Sequence, residues 1–259
     1  MFTHRVGDGV DFAVSENIET LHGFSTRIGG VSTLSGRESM NLGYDRGDDP
    51  DCVVENYRRF VSAVTGGRYG PERIARADQI HSDTVRYAGA PGKYEPCDGF
   101  WTDVPGVILT VRVADCAPVL LYDKEAGICA ALHAGWRSTV LGIAEKGVEA
   151  IVSHGGKASR IRAAVGPCIH VCCFEVKEDF VKDVEKLRGT DFSERHLLKR
   201  DGRLFADIAA MNTELLEGCG LLRENISIST DCTRCMDTLY FSHRALGVRR
   251  GSMCAAIAL

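Results

Sequence analysis

No apolar run in this chain of 259 residues approaches the roughly 18 needed to cross a membrane. The opening MFTHRVGDGVDFAVSEN lacks the continuous apolar core of a signal peptide, so a cytoplasmic location is the expectation. A basic surplus is also missing. Lys and Arg number 31 against 35 Asp and Glu, for a net charge of −4, and the cations are scattered rather than striped. That leaves no electrostatic footprint for nucleic acid, and neither nucleic acid nor a membrane is an expected partner. Internal repeats and low-complexity segments are absent, as is a strict βαβ rhythm. The eight histidines include no H-x-H pair, which on ligand counting weighs against the several paired-histidine coppers of a true multicopper laccase. The H-x-E and P-C-x-x-C pair of the cytidine-type deaminases is missing too. Eleven cysteines are an odd count in a chain too large to need disulfide staples, so free thiols are expected. Cys129, Cys219 and Cys254 fall in apolar or helical contexts and belong to the core. Near the C-terminus, CTRC has the spacing of a redox pair or of half a zinc knuckle. With no second CxxC, two partly buried thiols are the plainer reading.

What is present is enough apolar sequence, 44% hydrophobic residues, to bury a sizeable core as one large domain over residues 1–259 or two closely packed ones. The chain is organised around residues 107 to 139, VILTVRVADCAPVLLYDKEAGICAALHAGWRST. Two β-prone runs flank the polar, Gly-ended DKEAG, which is the pattern of a hairpin. Centred near Glu125, the hairpin pairs residues whose numbers sum to about 250 and sets Cys116 and Ala117 across from His133 and Ala134. Opposed side chains lie about 4.5–5.5 Å apart at Cβ, close enough for one zinc with bonds near 2.0–2.3 Å to nitrogen and sulfur. The plain alternative is a buried small thiol beside a hydrogen-bonded histidine at a strand end.

Before the hairpin, residues 22 to 49 form a glycine-rich loop of a length that usually has a job, in which Arg27, Arg37, Arg46 and Asn41 offer anion and hydroxyl contacts. From Pro50 the apolar positions Val53, Val54, Tyr57, Phe60, Val61 and Val64 recur with helical spacing up to Gly66 and Gly67. His81 sits in a turn before a short strand, and Asp98 and Asp103 fall in turn-rich sequence where exposure is the default. Val107, Leu109, Val111 and Val113 share one strand face, with Thr110 and Arg112 on the other. After His133 the pattern predicts a helix over about 139 to 153 capped by Ser138 or Thr139, its positive end beside Arg137 suited to phosphate or carboxylate. Trp136 reads as packing, or as a stacking face for a planar base. Later segments alternate strand and helix: RIRAAVGPCI, EVKEDFVKDVEKL, ADIAAMNTELLEGCG, NISIS and MCAAIAL.

The ordered segments HGFSTRIGGVS, MNLGYDRGDDP, QIHSDTV, ADCAPVLLYD, HAGWRST, GPCI with CCFEV, and CT followed by FSHR resemble the successive signatures of the laccase-domain family, from about residue 22 to the C-terminus. The resemblance implies a fold of the α/β (α+β) class, mixed β-sheets packed together with helices on the outer faces as a single large domain. It also implies zinc-dependent purine nucleoside phosphorylase and adenosine deaminase activity on adenosine, inosine or methylthioadenosine, with nucleoside and phosphate as partners. Bacterial members are also linked to peptidoglycan editing. His81, Cys116 and His133 are implied as catalytic metal ligands, and Arg27 and Asn41 as substrate contacts. One Cys, two His and an open position make a catalytic rather than structural site, and copper can occupy the same donors. No motif assigns the general acid/base carboxylate, and Asp98 and Asp115 are the candidates. Ser82, Ser138, Phe174 and Ala245 depart from the family's usual residues and bear on substrate preference. Three other readings remain: a Cys-His hydrolase with Cys116 as nucleophile and His133 as base, a copper-dependent polyphenol oxidase, and a noncatalytic metal-binding module with a peptidoglycan-editing role.

Overall fold

The computed structural model describes residues 1–259. The chain opens with β1 (Phe2–Gly7), β2 (Val10–Ser15) and β3 (Leu21–Ser25), then α1 (Pro50–Thr65), β4 (Ile74–Ala77), β5 (Val85–Tyr87), β6 (Gly92–Tyr94) and β7 (Gly99–Thr102). Next come β8 (Ile108–Val113), β9 (Ala117–Asp123), β10 (Ile128–Ala134), α2 (Trp136–Leu141), α3 (Ile143–Ser153), β11 (Arg162–Val165), β12 (Glu175–Val176), α4 (Glu178–Arg188) and α5 (Thr190–His196). It ends with β13 (Leu197–Arg200), β14 (Arg203–Ala206), α6 (Ile208–Gly218), β15 (Ile226–Ile228), α7 (His243–Leu246) and β16 (Met253–Ala258). No helix is long and apolar enough to cross a membrane.

Two mixed sheets pack face to face, ordered β1-β2-β3-β16-β8-β4-β6 and β15-β11-β9-β10-β7-β5, with a small β12-β14-β13 sheet beside them. Strand alternation decides which layer each side chain enters. Along β8, Leu109 and Val111 join Ala255 and Ile257 of β16 between the sheets, where they meet Leu120, Ala131 and Ala164. The intervening Ile108, with Cys254 and Ala256, faces outward onto Val53, Tyr57 and Phe60 of α1. On the far side, Val119 and Leu121 of β9 and Ala130 and Leu132 of β10 pack under Ile143, Val148 and Ile151 of α3 and Met211 and Leu216 of α6. The result is helix, sheet, sheet, helix, the mixed α/β arrangement with outer helices expected from the sequence. α1 starts at Asp49, whose side chain accepts from the Asp51 N–H, and stops at Gly66, as the periodicity predicts. Cys129 and Cys254 are buried and Cys219 packs against the core edge.

Two predicted details shift. The central hairpin pairs Ile128 with Asp123 and Ala134 with Ala117, so His133 faces Pro118 and Cys116 lies just before the strand. Cys116 is therefore a diagonal rather than direct neighbour of His133, still on the same face. The helix expected from 139 begins at Trp136 with Gly135 as N-cap, and Gly142, at φ 104°, breaks it into α2 and α3. Ser138 and Thr139 are buried inside α2 rather than capping it. A left-handed turn of this kind favours glycine, and it leaves α2 only six residues long.

The glycine-rich loop is moored by Asn56 of α1, whose Nδ2 donates to the Ser39 carbonyl at 3.0 Å and the Asn41 carbonyl at 2.9 Å. Its other end pairs Leu42 with Ser252 just before β16. That mooring places Asp45 and Arg46 at one end of the sandwich, where the loop before β9 and the end of β10 also emerge.

Candidate active site

His81 follows β4 in a tight turn, at the left-handed φ of 60°, which non-glycine residues adopt only when their surroundings hold them there. Asp98 does the holding. Its carboxylate accepts the N–H of Ile80 at 3.2 Å, of His81 at 3.0 Å and of Ser82 at 2.6 Å, and the Ser82 hydroxyl at 2.9 Å. The same carboxylate meets His133 Nδ1 at 2.8 Å. Asp98 is thus fully buried, against the exposure expected of a turn aspartate, because four donors and an imidazole replace its water.

The geometry brings His81, Cys116 and His133 together, their ligand atoms all within 4.8 Å of one another. Cys116 Sγ lies 4.0 Å from His81 Nε2. Gly135 closes the arrangement from behind: a Cβ there would meet His81 Cδ2 at 2.8 Å and Cys116 Sγ at 3.1 Å, so glycine is required by close approach, its φ of −63° being ordinary. With Asp98 engaging Nδ1, His133 presents Nε2 toward the thiol, the tautomer a metal ligand needs. Burial opposes charge at Cys116, but the positive His133 and hydrogen bonds from both histidines pull its thiol well below the usual range. Burial likewise opposes charge at His133, where the Cys116 thiolate and Asp98 raise the imidazole. Two imidazoles and one thiol, converging with one side open, are a donor set that fits zinc or copper.

That open side faces a cleft of about 430 Å³, within the span of small-molecule sites. Arg46, Arg112, Arg137, Arg244 and Arg250 line it against Asp45 and Asp115. Asp45 is shared between Arg46 and Arg112, each at 3.4 Å. The Nε atoms of Arg46 and Arg250 are buried without a partner in the protein. Burial and the nearby charge of Arg46 push the Arg250 guanidinium down to about 10, against the opposing pull of Cys116, Asp115 and Asp45, the response of crowded cations taken out of water. Trp136 and Phe174 give the cleft two aromatic walls.

The remaining expected contacts divide. Arg137 is exposed, lines the cleft and stacks on Trp136 with its guanidinium carbon 4.2 Å from the ring centre. Asn41 is fully buried, its amide donating to Asp48 at 2.8 Å and accepting the N–H of Gly43 and Ser252, so it builds the loop rather than touching the cleft. Arg27 lies outside the lining, donating to the Asp237 carbonyl at 2.8 Å and packing on Phe241. Asp115 does line the cleft, but its carboxylate accepts from the Thr233 hydroxyl and the Arg244 N–H, each at 2.7 Å. Arg112, Arg250 and His243 were missed as site residues. Only His243 lay in a segment with a readable signal, FSHR.

The fold and this cleft define a mixed α/β protein with a Cys/His₂ cluster over an arginine-rich pocket. The chain belongs to the family described as multi-copper polyphenol oxidoreductase laccase, whose pattern matches residues 21–259. It is 38% identical over 251 residues to a purine nucleoside phosphorylase of Deinococcus radiodurans, covering 97% of this chain and 94% of that one. It is 33% identical over 255 residues to adenosine deaminase RL5 from an unknown prokaryotic organism, covering 93% and 94%. The crystal structure of the Bacillus licheniformis hypothetical protein YfiH superposes with a TM-score of 0.89 at 28% identity, covering 99% of this chain and 98% of that one.

Proposed function

We propose that this protein is a zinc-dependent purine nucleoside phosphorylase with adenosine deaminase activity, using His81, Cys116 and His133 as metal ligands and taking nucleoside and phosphate in the arginine-lined cleft. The observation that carries the reading is the convergence of two imidazoles and a thiol beside two arginines, Arg46 and Arg250, whose buried Nε atoms have no hydrogen-bond partner in the protein. The names of the relatives from Deinococcus radiodurans and of adenosine deaminase RL5 support it. His81, Cys116 and His133 would hold the zinc, which would supply Lewis-acid charge to the cleft. The chain's own residues do the remaining work. Asp98 fixes the tautomer and orientation of His133, Arg46 and Arg250 neutralise and orient phosphate for attack at the ribose C1′, and Trp136 and Phe174 offer faces to the planar base.

A second reading rests on a specific geometry. Asp98, His133 and Cys116 form a carboxylate, imidazole and thiol relay that would serve a cysteine hydrolase without any metal. One experiment separates the two: purified protein is assayed for base release from inosine and adenosine with and without phosphate, and for ammonia release from adenosine, before and after chelation. Phosphate-dependent base release lost on chelation, with one zinc equivalent missing from Cys116→Ala, is the expected outcome. Base release that is absent from zinc-loaded protein, or turnover that survives chelation together with rapid alkylation of Cys116, overturns it.

A further inference from the structure

A second thiol cluster lies outside the cleft. The strand β11 leads into the turn that carries Cys172 and Cys173, and its parallel neighbour β15 leads into the CTRC turn with Cys232 and Cys235. A bridge between Cys168 and Cys232 extends that pairing beyond the strands. The two turns are thereby held side by side, and the four sulfurs of Cys172, Cys173, Cys232 and Cys235 all lie within 4.8 Å of one another. CTRC is therefore not an isolated pair of thiols. Its missing half is the vicinal cysteine pair, which no spacing rule joins to it.

Three observations point to an ion rather than a disulfide. Cys235 Sγ sits 3.5 Å from Cys172 Sγ and 3.3 Å from Cys173 Sγ, nearly equidistant from both. One disulfide satisfies a single partner, whereas four sulfurs about 2.3 Å from a central zinc are spaced by about 3.8 Å. The His170 N–H donates to Cys232 Sγ at 3.5 Å, a contact that stabilises a thiolate more than a thiol. A zinc bound by four thiolates carries two negative charges, and cations stand beside it: Arg200 donates to the Cys172 carbonyl at 3.0 Å and Arg244 to the Cys173 carbonyl at 3.2 Å.

We propose that Cys172, Cys173, Cys232 and Cys235 form a second, structural zinc site, closed by four thiolates and distinct from the His81 cluster. Binding releases the thiol protons to solvent and involves no redox change. The site clasps the back of the cleft wall, since Phe174 follows Cys173, and Thr233, inside CTRC, donates to Asp115 beside Cys116. Its role is to fix that wall, not to touch substrate.

The test uses the full chain, purified under reducing conditions and loaded with zinc or with cobalt(II). Total zinc falls by one equivalent in Cys235→Ser and by a different equivalent in Cys116→Ala, and approaches zero in the double variant. The sulfur-to-cobalt absorption, whose intensity scales with the number of bound thiolates, keeps most of its strength in Cys116→Ala and falls in Cys235→Ser to the single-thiolate level left by Cys116. Should Cys235→Ser fold poorly, the exposed Cys172→Ser is read the same way, and chelation of Cys116→Ala lowers its melting temperature. Zinc content unchanged in both serine variants overturns the proposal, as does a native mass lower by two hydrogens with Cys235 cross-linked to Cys172 or Cys173. Neither result bears on phosphorolysis, so the two readings fail separately.

Discussion

Asp98 is the residue that holds both histidines of the proposed metal site without being one of its ligands. It anchors the His81 turn through three backbone N–H groups and His133 through Nδ1. In Asp98→Asn the amide retains one acceptor and presents donors where the carboxylate accepted, so the His133 tautomer and the His81 turn both loosen. Removing such an outer partner costs about 10- to 100-fold in metal affinity. Competition with a chromophoric chelator should show a loss in that range while far-ultraviolet circular dichroism stays native. Unchanged affinity would reduce Asp98 to a turn anchor. Nothing local in CDGFWTD marks this aspartate, which meets its imidazole 35 positions away. Its burial follows from packing of β7 beside β10, and residue-by-residue reading defaults to exposure.

At the scale of elements, the central hairpin was legible because its alternation and its polar, Gly-ended turn agree, and the register came out within one residue. The error arose from the loop centre: pairing sums to 251, not 250. The turn is set by Asp123, whose carboxylate accepts the N–H of Glu125 and Ala126 at 3.1 Å, the N–H of Lys157 at 2.9 Å and Arg160 at 3.0 Å. Burial alone would raise this carboxyl; the Lys157 N–H and Arg160 lower it instead. A lowered folded pKa gives stability that is present above the unfolded value of about 4 and lost as pH falls through the folded value. Asp123→Asn should therefore cost about 2 kcal/mol near pH 7, the scale of hydrogen bonds to a charged group. The gap to wild type should close on acidification below about pH 4. Urea unfolding at pH 7 and pH 3 reads it, and a gap that widens at low pH contradicts the assignment. The break at Gly142 was not legible, since the apolar stripe continues across it in sequence. CTRC failed as a signal for a different reason: its partners are brought in only by the parallel pairing of β11 with β15.

Over the whole molecule the net charge is −4, yet five arginines gather at one end of the sandwich. Composition shows only the sum, and the fold makes the local excess by converging β8, α2, α7 and the loops beside β16 on one cleft. A negative body with a positive cleft draws anions to that end, and the low-dielectric walls strengthen the field there. Among the five, Arg137 is exposed and partly engaged by Trp136, whereas Arg250 is largely buried with a free Nε and suffers repulsion from Arg46. An anion relieves that repulsion, so these two partly buried arginines gain more from phosphate than the solvated Arg137 does. Arg250→Met keeps the apolar stem and removes the charge. Losing charge-assisted hydrogen bonds of about 1.5–3 kcal/mol corresponds to a rise of roughly 10- to 150-fold in the phosphate KM. Arg137→Ala should raise it by only a few-fold, because exposed ion contacts are worth at most about 1 kcal/mol. Both variants should retain zinc at the His81 cluster. Phosphate-dependence measured at low and high salt decides between them: a larger effect at Arg137 than at Arg250 would move the anion to the mouth of the cleft, beside the short helix α2.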